Sequence, residues 1–535
     1  MPRTLSKEKL ALILILLCAA ALRLSLIGWT LPNQFHTATY NPDEATVFTA
    51  LQGINPSKLD FNPVSDKMPH ALYEGTFNLY TYGGLLKLLS TVKLLTLNPD
   101  KGFYYAHIGE MAKLYLAGRL LSVFYGLLTV WVTYLLAKKL SGERAGLLAA
   151  FFMAVMPAHV IYSRYILMNV PGTFWIVLAF IFLTDIIRRG STRDYFLAGM
   201  SIGLATATRY SAAPLFLILI LAHILRGGAW RERKKAAAGF AALFLFYFIV
   251  SPYTLLDFPD FLAGMRFLNT QAAGDHALSF QSHVSLVSAA FTEALGPALL
   301  FISAGGVALA FARRAKETLL LLAWISILIL FFFLAGPLVS PGRILPALPF
   351  LLILGAEAVD LAWRRSAAAG IFALVTVIAQ TAVYSAAYFR LISPPDIRDT
   401  ASAWMAENIR PGSSIGLLRE PSWFSPGLVD RKYRHPEHTG LPDYKYIPLT
   451  SVKWRSQAGF DLLPAATPEY ILVTEFESRD LQGGDLAPAA AKYGYREIKD
   501  FRASLALPGL PFTKKIPDML YIPDKITVFQ RFPKP

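Results

Sequence analysis

The sequence predicts a polytopic α-helical membrane protein with a small α/β domain at its C-terminal end. Hydrophobic residues make up 54% of the 535 positions and charged residues only 16%, a composition typical of multi-span membrane proteins. The apolar residues are grouped in runs of roughly 20, the length that crosses a bilayer as a helix. From residue 391 to 535 these runs stop, and strand-like stretches replace them.

The first element is a basic head followed by the apolar run in MPRTLSKEKLALILILLCAAALRLSLIGW. This run is too long for a cleaved signal peptide and lacks a convincing small-residue cleavage site, so we interpret it as a retained anchor. We predict about 11 transmembrane helices, near residues 10–30, 117–137, 145–162, 171–187, 194–209, 211–226, 236–252, 285–311, 318–336, 343–362 and 367–388. Residues 31–116 form a large loop after the first helix. The segment 73–96 mixes apolar, charged and tyrosine side chains, which suits an interfacial helix better than a span.

The distribution of basic residues predicts the orientation. The N-terminus and the loops on one side carry 19 Lys and Arg residues, whereas each short loop on the other side carries one Arg. By the positive-inside rule the N-terminus is cytoplasmic, and residues 31–116 and 391–535 are extracytoplasmic. We therefore expect a multi-pass protein of the cell (inner) membrane. Residues 391–535 hold 19 basic against 17 acidic residues, so most of the net charge of +15 lies with the apolar runs, which argues against a nucleic-acid partner.

The C-terminal segment has the pattern of a soluble α/β domain. SAWMAENIRPGSSIGLL predicts a helix stopped by Pro-Gly and then a strand, and PEYILVTEFE and KITVFQRF predict further strands. We therefore divide the chain into a membrane domain, 1–390, and an extracytoplasmic domain, 391–535.

The stretch NPDE, residues 41–44, places two carboxylates, Asp43 and Glu44, shortly after the first apolar run. One interpretation is a helix start, because Asn41 can cap a helix, Pro42 suits its first position and Glu44 suits a capping box. The other interpretation is catalytic: a capped helix at the outer membrane surface would hold Asp43 as a base for an acceptor hydroxyl. The two interpretations are compatible.

Five arginines are predicted at the outer ends of spans, where a charge is costly and needs a partner. They are Arg23, Arg119, Arg164, Arg209 and Arg343. They either snorkel to lipid phosphates or pair with acids such as Glu110 or Glu293, or they converge on the phosphate of a lipid-linked donor, which suits the guanidinium fork.

The histidines of the sequence show no metal-binding pattern. His36, His70, His107 and His159 lack the spacing of metal ligands, and HExxH does not occur. We expect no cofactor; a divalent metal has no residue pattern to support it.

Several stretches in order, LRLSLIGW, NPDEATVFTA, LDFNP, AGRLLSVFYGLLTVWVTYLLAKKLSGERAGLLAA, PAHVIYSRYILMNVPGTFW, GLATATRYSA, SPYTLLDFPDF and PGRILPALPFLL, carry a resemblance. Over about residues 8–390 the chain resembles the GT-C membrane glycosyltransferases of the protein O-mannosyltransferase and lipid A aminoarabinose transferase type (glycosyltransferase family 39-like). The resemblance implies a polyprenyl-phosphate sugar donor in the bilayer and Asp43 as catalytic base, with Glu44 beside it. Two positions depart from the pattern of many relatives: Asn169 stands where they have Asp, and Arg209 where a Lys is expected.

The function that the resemblance implies is sugar transfer to an acceptor hydroxyl of a glycan, lipid or protein on the extracytoplasmic face. A single displacement would invert the anomeric carbon, and arginines would stabilise the leaving phosphate, with Asn169 at the same substrate site. Two alternatives stay open: a transporter or flippase of a lipid-linked sugar, and a non-catalytic protein of the same fold.

Overall fold

The computed structural model describes residues 6–227, 231–273, 280–334, 339–393, 395–429, 440–450, 467–478, 490–503, 522–523 and 525–532. The α-helices are α1 Lys7–Leu24, α2 Pro42–Leu51, α3 Thr76–Thr91, α4 Lys101–Ala106, α5 Ile108–Ser141, α6 Glu143–Val155, α7 Pro157–Tyr162, α8 Asn169–Arg188, α9 Thr192–Thr208, α10 Leu215–Arg226, α11 Arg233–Val250, α12 Tyr253–Leu256, α13 Phe258–Ala273, α14 Phe280–Arg313, α15 Lys316–Leu334, α16 Pro341–Ile344, α17 Leu348–Arg365, α18 Ala367–Leu391, α19 Ile397–Asn408 and α20 Glu475–Ser478. The strands are β1 Ser414–Leu417, β2 Lys445–Pro448, β3 Tyr470–Thr474, β4 Tyr495–Arg502 and β5 Lys525–Arg531.

Six helical segments within the described residues are long and apolar enough to cross a membrane. They are Ile108–Ser141, Asn169–Arg188, Phe280–Arg313, Lys316–Phe333, Pro341–Arg365 and Ala367–Leu391. Five of them cover a predicted span completely, and Lys316–Phe333 overlaps the predicted span 318–336. The protein is therefore a multi-pass membrane protein with a mostly helical fold. Residues 335 and 336 of the predicted span 318–336 lie outside the described residues.

The other five predicted spans coincide with helices that are shorter or carry more charge. The helix α1 contains Lys7, Glu8, Lys9 and Arg23 within 18 residues, and α9, α10 and α11 are 17, 12 and 18 residues long. The predicted span 145–162 is interrupted: α6 ends at Val155, and α7 begins at Pro157. Proline disfavours helical geometry in the residue before it, and Met156 is extended, with ψ at 123°. The total of about 11 spans stays a prediction.

The chain forms two compact units. The helical unit comprises Met1–Ile27, Thr46–Leu88 and Ala117–Ser385, and the C-terminal unit comprises Gly28–Ala45, Leu89–Leu116 and Ala386–Pro535. The second unit thus combines the C-terminal segment with two pieces of the predicted outer loop. The predicted boundary at residues 390/391, and the interfacial position of the segment around α3, stay predictions.

Close helix contacts organise the helical unit. The helices α9 and α11 pack side by side, and a Cβ at Gly199 would collide with the carbonyl group of Gly239. Small residues let helix backbones approach closely where no hydrophobic effect drives association. Substitution of Gly199 would therefore separate the pair.

A kink divides α14 at Gly296, whose φ of 72° is left-handed, followed by Pro297. The kink leaves backbone groups without helical partners. The Gln380 side chain of α18 supplies substitutes: its Nε2 donates to Leu295 O at 3.0 Å, and its Oε1 accepts from Ala298 N.

The C-terminal unit contains a five-stranded mixed sheet in the order β2-β1-β3-β5-β4. The strands β2, β1 and β3 are parallel, whereas β5 is antiparallel to both β3 and β4. The helix α19 contributes Met405 to a core with Leu417, Leu472 and Val528, all buried. The prediction of a C-terminal sheet with a preceding helix is confirmed.

Candidate active site

The acidic pair begins a helix, as its sequence pattern predicts. The Asn41 side chain caps α2, because its Oδ1 accepts from Asp43 N at 3.0 Å. Glu44 is fully buried, and its Oε2 accepts a hydrogen bond from Thr39 Oγ1 at 2.9 Å. Asp43 is exposed in the same helical turn. The capped turn therefore assigns the two carboxylates different environments: Glu44 is bound within the fold, and Asp43 is accessible.

A small cavity lies beside this turn within the C-terminal unit. It is open to solvent, with a volume of about 360 Å³, and its walls come from residues 36–45 and from the turn 422–427. Thr39, Ser422 and Ser425 give hydroxyl groups to its lining, and Trp423 gives an aromatic ring. The segment that leads to Asp43 and a turn of the C-terminal sheet thus share one water-accessible space.

Arg23 is fully buried in the helical unit. Each nitrogen of its guanidinium has a hydrogen-bond partner at 2.7 to 3.3 Å, and these partners are the carbonyl oxygens of Ala19, Met153 and Ala154, Ser163 Oγ and His159 Nδ1. Arg23 therefore joins the end of α1 to the break between α6 and α7. A phosphate-binding role for Arg23 stays a prediction, and this arrangement disfavours it.

Arg119 and Arg164 donate hydrogen bonds to carbonyl groups just beyond the end of α1. Arg119 Nη1 donates to Ile27 O at 2.8 Å, and Arg164 Nη1 donates to Ser25 O. Both side chains are buried. Ser25 and Ile27 directly follow α1, which ends at Leu24. Arg119 and Arg164 thus hold the stretch just after α1, whereas Arg23 lies in the last turn of α1 itself.

Asn169, Arg209 and Arg343 form a second group in the helical unit, around the carbonyl of Gly342. Asn169 Nδ2 donates to Gly342 O at 3.0 Å, and Arg209 Nη1 donates to the same oxygen at 3.2 Å. Arg343 follows Gly342 directly, is partly exposed and lies within electrostatic range of Arg209. The structure therefore brings together two guanidinium groups and Asn169, which stands where many proteins of the type that the sequence resembles have Asp.

Glu74 belongs to this second group, and the sequence analysis did not identify it. Its carboxylate lies within electrostatic range of Arg209 and lines an open cavity of about 420 Å³ with Thr46, Thr76, Asn78 and Met168. Its signal in the sequence is an acid directly before Gly75, at the start of the segment 73–96 that is predicted as an interfacial helix.

The comparison with protein families identifies residues 111–255, which match the model of the dolichyl-phosphate-mannose-protein mannosyltransferase family. This match covers α5 to α11 and part of α12, so it contains Arg119, Arg164, Asn169 and Arg209 but neither Asp43 nor Arg343. No curated protein sequence matches the chain.

Solved structures with a similar fold include two membrane glycosyltransferases. The oligosaccharyltransferase of Archaeoglobus fulgidus, in complex with zinc and sulfate, aligns with a TM-score of 0.51 at 16% identity, over 91% of this chain and 71% of that one. ArnT from Cupriavidus metallidurans, bound to undecaprenyl phosphate, aligns with a TM-score of 0.50 at 12% identity, over 98% of this chain and 99% of that one. The same archaeal enzyme, AglB, is also known with an inhibitory peptide and a dolichol-phosphate, at a TM-score of 0.51 and 13% identity over 95% and 75% of the two chains.

These likenesses confirm the resemblance to GT-C membrane glycosyltransferases. At 12% to 16% identity they establish the fold alone.

Proposed function

We propose that this protein transfers a sugar from a polyprenyl-phosphate donor to an acceptor hydroxyl. The observation that carries the proposal is the match of residues 111–255 to the dolichyl-phosphate-mannose-protein mannosyltransferase family. The fold it shares with ArnT and with AglB, which bind undecaprenyl phosphate and dolichol-phosphate respectively, supports a lipid phosphate as the carrier. The transferred sugar is a hexose or a pentose, and the acceptor is a glycan, a lipid or a protein.

Asp43 is the proposed base. It is exposed on a capped helical turn, whereas the neighbouring Glu44 is buried and bound to Thr39. A base has to reach the hydroxyl that it deprotonates, which favours the exposed carboxylate. In a single displacement the acceptor oxygen attacks the anomeric carbon, the bond from that carbon to the phosphate oxygen breaks, and Asp43 takes the hydroxyl proton. The anomeric configuration is then inverted.

Arg209 and Arg343 are the proposed donor-phosphate ligands. Together with Glu74 they give their group a formal charge of about +1, because two guanidinium groups face one carboxylate. A leaving phosphate gains negative charge as its bond to the sugar breaks, and fixed cations stabilise that charge. Asn169 helps to hold the group through the shared Gly342 carbonyl.

The proposed topology has about 11 spans and a cytoplasmic N-terminus. The active site and the C-terminal domain lie on the extracytoplasmic side of the inner membrane in this proposal. It is supported by the asymmetry of basic residues between the loops.

The decisive experiment is a transfer assay on the purified protein in lipid nanodiscs with a radiolabelled polyprenyl-phosphate sugar. Asp43→Asn should lower turnover by about 10²- to 10⁴-fold, the range for loss of a general base, with donor affinity unchanged. Asp66→Asn, which alters another exposed carboxylate of the predicted outer loop, is the control and should transfer normally. Near-normal transfer by Asp43→Asn would leave the acidic pair with a helix-capping role only.

Donor binding is measured separately with undecaprenyl phosphate itself. Arg209→Ala and Arg343→Ala should each weaken binding by about 1.5–3 kcal/mol, the scale of a hydrogen bond to a charged group. Wild-type protein that binds the lipid and transfers no sugar would favour the flippase or the non-catalytic alternative. Assays with EDTA and with added Mg²⁺ or Mn²⁺ test whether transfer requires a divalent metal.

A further inference from the structure

The segment 33–40 leads directly into the turn that carries Asp43. Three of its side chains lie close to the carboxylate of Asp399 in α19. Asp399 Oδ2 accepts from Asn33 Nδ2 at 2.8 Å, and Asp399 Oδ1 accepts from the Tyr40 hydroxyl at 2.7 Å. His36 Nε2 lies 3.4 Å from the same Oδ1. All of these residues belong to the C-terminal unit, and three side chains of one short segment therefore converge on one carboxylate.

A second contact fixes the ring of Tyr40. The Arg398 guanidinium lies 3.8 Å from the centroid of that ring, and its Nε and Nη2 bind the two oxygens of Asp396, each at 2.7 Å. Arg398 Nη1 also donates to Trp423 O at 2.6 Å. Because Arg398 is fully buried and doubly bound, its position is rigid, and Tyr40 is held between Arg398 and Asp399.

The titration of these groups agrees with a fixed network. Burial, followed by the charge of Asp399, raises the pKa of Tyr40 well above its ordinary value, so its hydroxyl keeps the proton that it donates. Burial alone would raise the pKa of Asp399, but the nearby His36 ring and the hydrogen bonds from Tyr40 and Asn33 outweigh burial and lower that pKa. Asp399 is therefore an anion that accepts from its neighbours.

The network continues to the acidic turn. Thr39, next to Tyr40, donates from its Oγ1 to Glu44 Oε2 at 2.9 Å, and Glu44 adjoins Asp43 in the first turn of α2. The path from Asp399 to Asp43 thus runs through Tyr40, Thr39 and Glu44.

We propose that Asp399 is a positioning residue, which acts from the C-terminal α19 to hold the segment 33–40 and thereby orient Asp43 for sugar transfer. This inference rests on the proposed function. A reacting group displaced by about 1 Å loses up to about 100-fold in rate. Loosening of the segment should therefore reduce kcat while the KM for the donor stays the same, because Asp399 binds Asn33, His36 and Tyr40, whereas the proposed phosphate ligands belong to the helical unit.

The test uses Asp399→Asn and Tyr40→Phe in the full-length protein in nanodiscs. Asp399→Asn keeps the shape but removes the charge, and Tyr40→Phe keeps the ring over Arg398 but removes the hydroxyl. Asp500→Asn is the matched control: the Asp500 side chain is 18% exposed, against 14% for Asp399, and it also has a cationic neighbour, Arg502, at 2.6 Å. Hydrogen–deuterium exchange of peptides covering 33–45 and steady-state kinetics per folded protein are measured for each variant.

Asp399→Asn should speed exchange in 33–45 and lower kcat by about 10- to 100-fold at unchanged donor KM, and Tyr40→Phe should do the same to a smaller extent, whereas Asp500→Asn should change neither quantity. Unchanged exchange in 33–45 would overturn the inference, as would faster exchange with a wild-type kcat, which would indicate a purely structural contact. If the wild-type protein transfers no sugar, the proposed function fails, and the exchange result alone then decides whether Asp399 holds the segment.

Discussion

Substitution of Glu477 by Gln should change the pH dependence of stability of the C-terminal sheet. Glu477 lies in α20, directly after β3, and is 1% exposed. Its Oε1 accepts from Arg419 N at 3.1 Å, and its Oε2 accepts from Thr474 N at 3.0 Å and from Thr474 Oγ1 at 3.1 Å. Burial dominates these bonds and raises the pKa of Glu477 from 4.5 to about 7.

The shift defines a pH window and a magnitude. Below pH 4.5 the carboxyl is protonated in both the folded and the unfolded chain. Between pH 4.5 and about 7 the unfolded chain loses the proton and the folded chain keeps it, so the free energy of unfolding falls as the pH rises. Each unit of pKa corresponds to about 1.4 kcal/mol, which gives a loss of about 3 kcal/mol once the pH exceeds about 7.

Gln is neutral at every pH, so the variant should lack this decline. Its amide nitrogen cannot accept a hydrogen bond, which should cost about 1 kcal/mol throughout. We therefore expect the wild-type sheet to be the more stable at pH 5 and Glu477→Gln to be the more stable at pH 8.

The assay is hydrogen–deuterium exchange of β3 in the full-length protein from pH 5 to 8, corrected for intrinsic exchange rates and converted to opening free energies. Glu469→Gln, an exposed acid just before β3, is the control and should follow the wild-type pH dependence. Parallel curves for the wild type and Glu477→Gln would refute the argument, because they would mean that Glu477 is ionised in the folded sheet across this range.

Three further predictions concern the helical unit and the topology. Arg23→Met removes the donors to three carbonyl groups, and each lost hydrogen bond should cost about 1 kcal/mol or more. The apparent Tm in detergent should therefore fall well below that of the control Arg266→Met, which alters an exposed arginine. Binding of undecaprenyl phosphate by the folded Arg23→Met protein should be unchanged. Gln380→Leu leaves Ala298 N and Leu295 O without their substitute partners, which should cost about 1–3 kcal/mol for each group, and a Tm equal to that of Ile378→Leu would contradict this account of the kink. A reporter enzyme that is active only outside the cytoplasm should be active when it is fused after residue 535. Activity of a reporter that works only in the cytoplasm would contradict the predicted orientation.

The sequence predicts the membrane class and the C-terminal sheet well because both depend on local patterns. An apolar run of 20 residues has few alternatives to a span, and the strands β3 and β5 fall within PEYILVTEFE and KITVFQRF. Pro157 marks an interruption that the apolar run 145–162 conceals, because hydropathy does not register the loss of helical geometry before a proline.

Side-chain partners are less predictable, because they depend on which chain ends meet in space. The sequence places Arg23, Arg119 and Arg164 at similar depth. It does not reveal that Arg23 donates to carbonyl groups of α1 and α6, or that Arg119 and Arg164 donate to Ile27 and Ser25, just after α1. For the same reason it links neither Asp399 to Tyr40, 359 residues away, nor Glu74 to Arg209.

The five arginines therefore separate by the partners that they already have. Arg23, Arg119 and Arg164 already donate hydrogen bonds to carbonyl oxygens. An incoming phosphate would have to displace hydrogen bonds of 2.7 to 3.3 Å around Arg23. Arg209 and Arg343 instead lie close enough to repel each other, with Glu74 as a carboxylate neighbour. A bound phosphate would relieve that repulsion as well as form its own bonds, so the same anion gains more at the second group than at the first. This difference favours the Gly342 region, rather than the end of α1, as the proposed site for a negatively charged ligand.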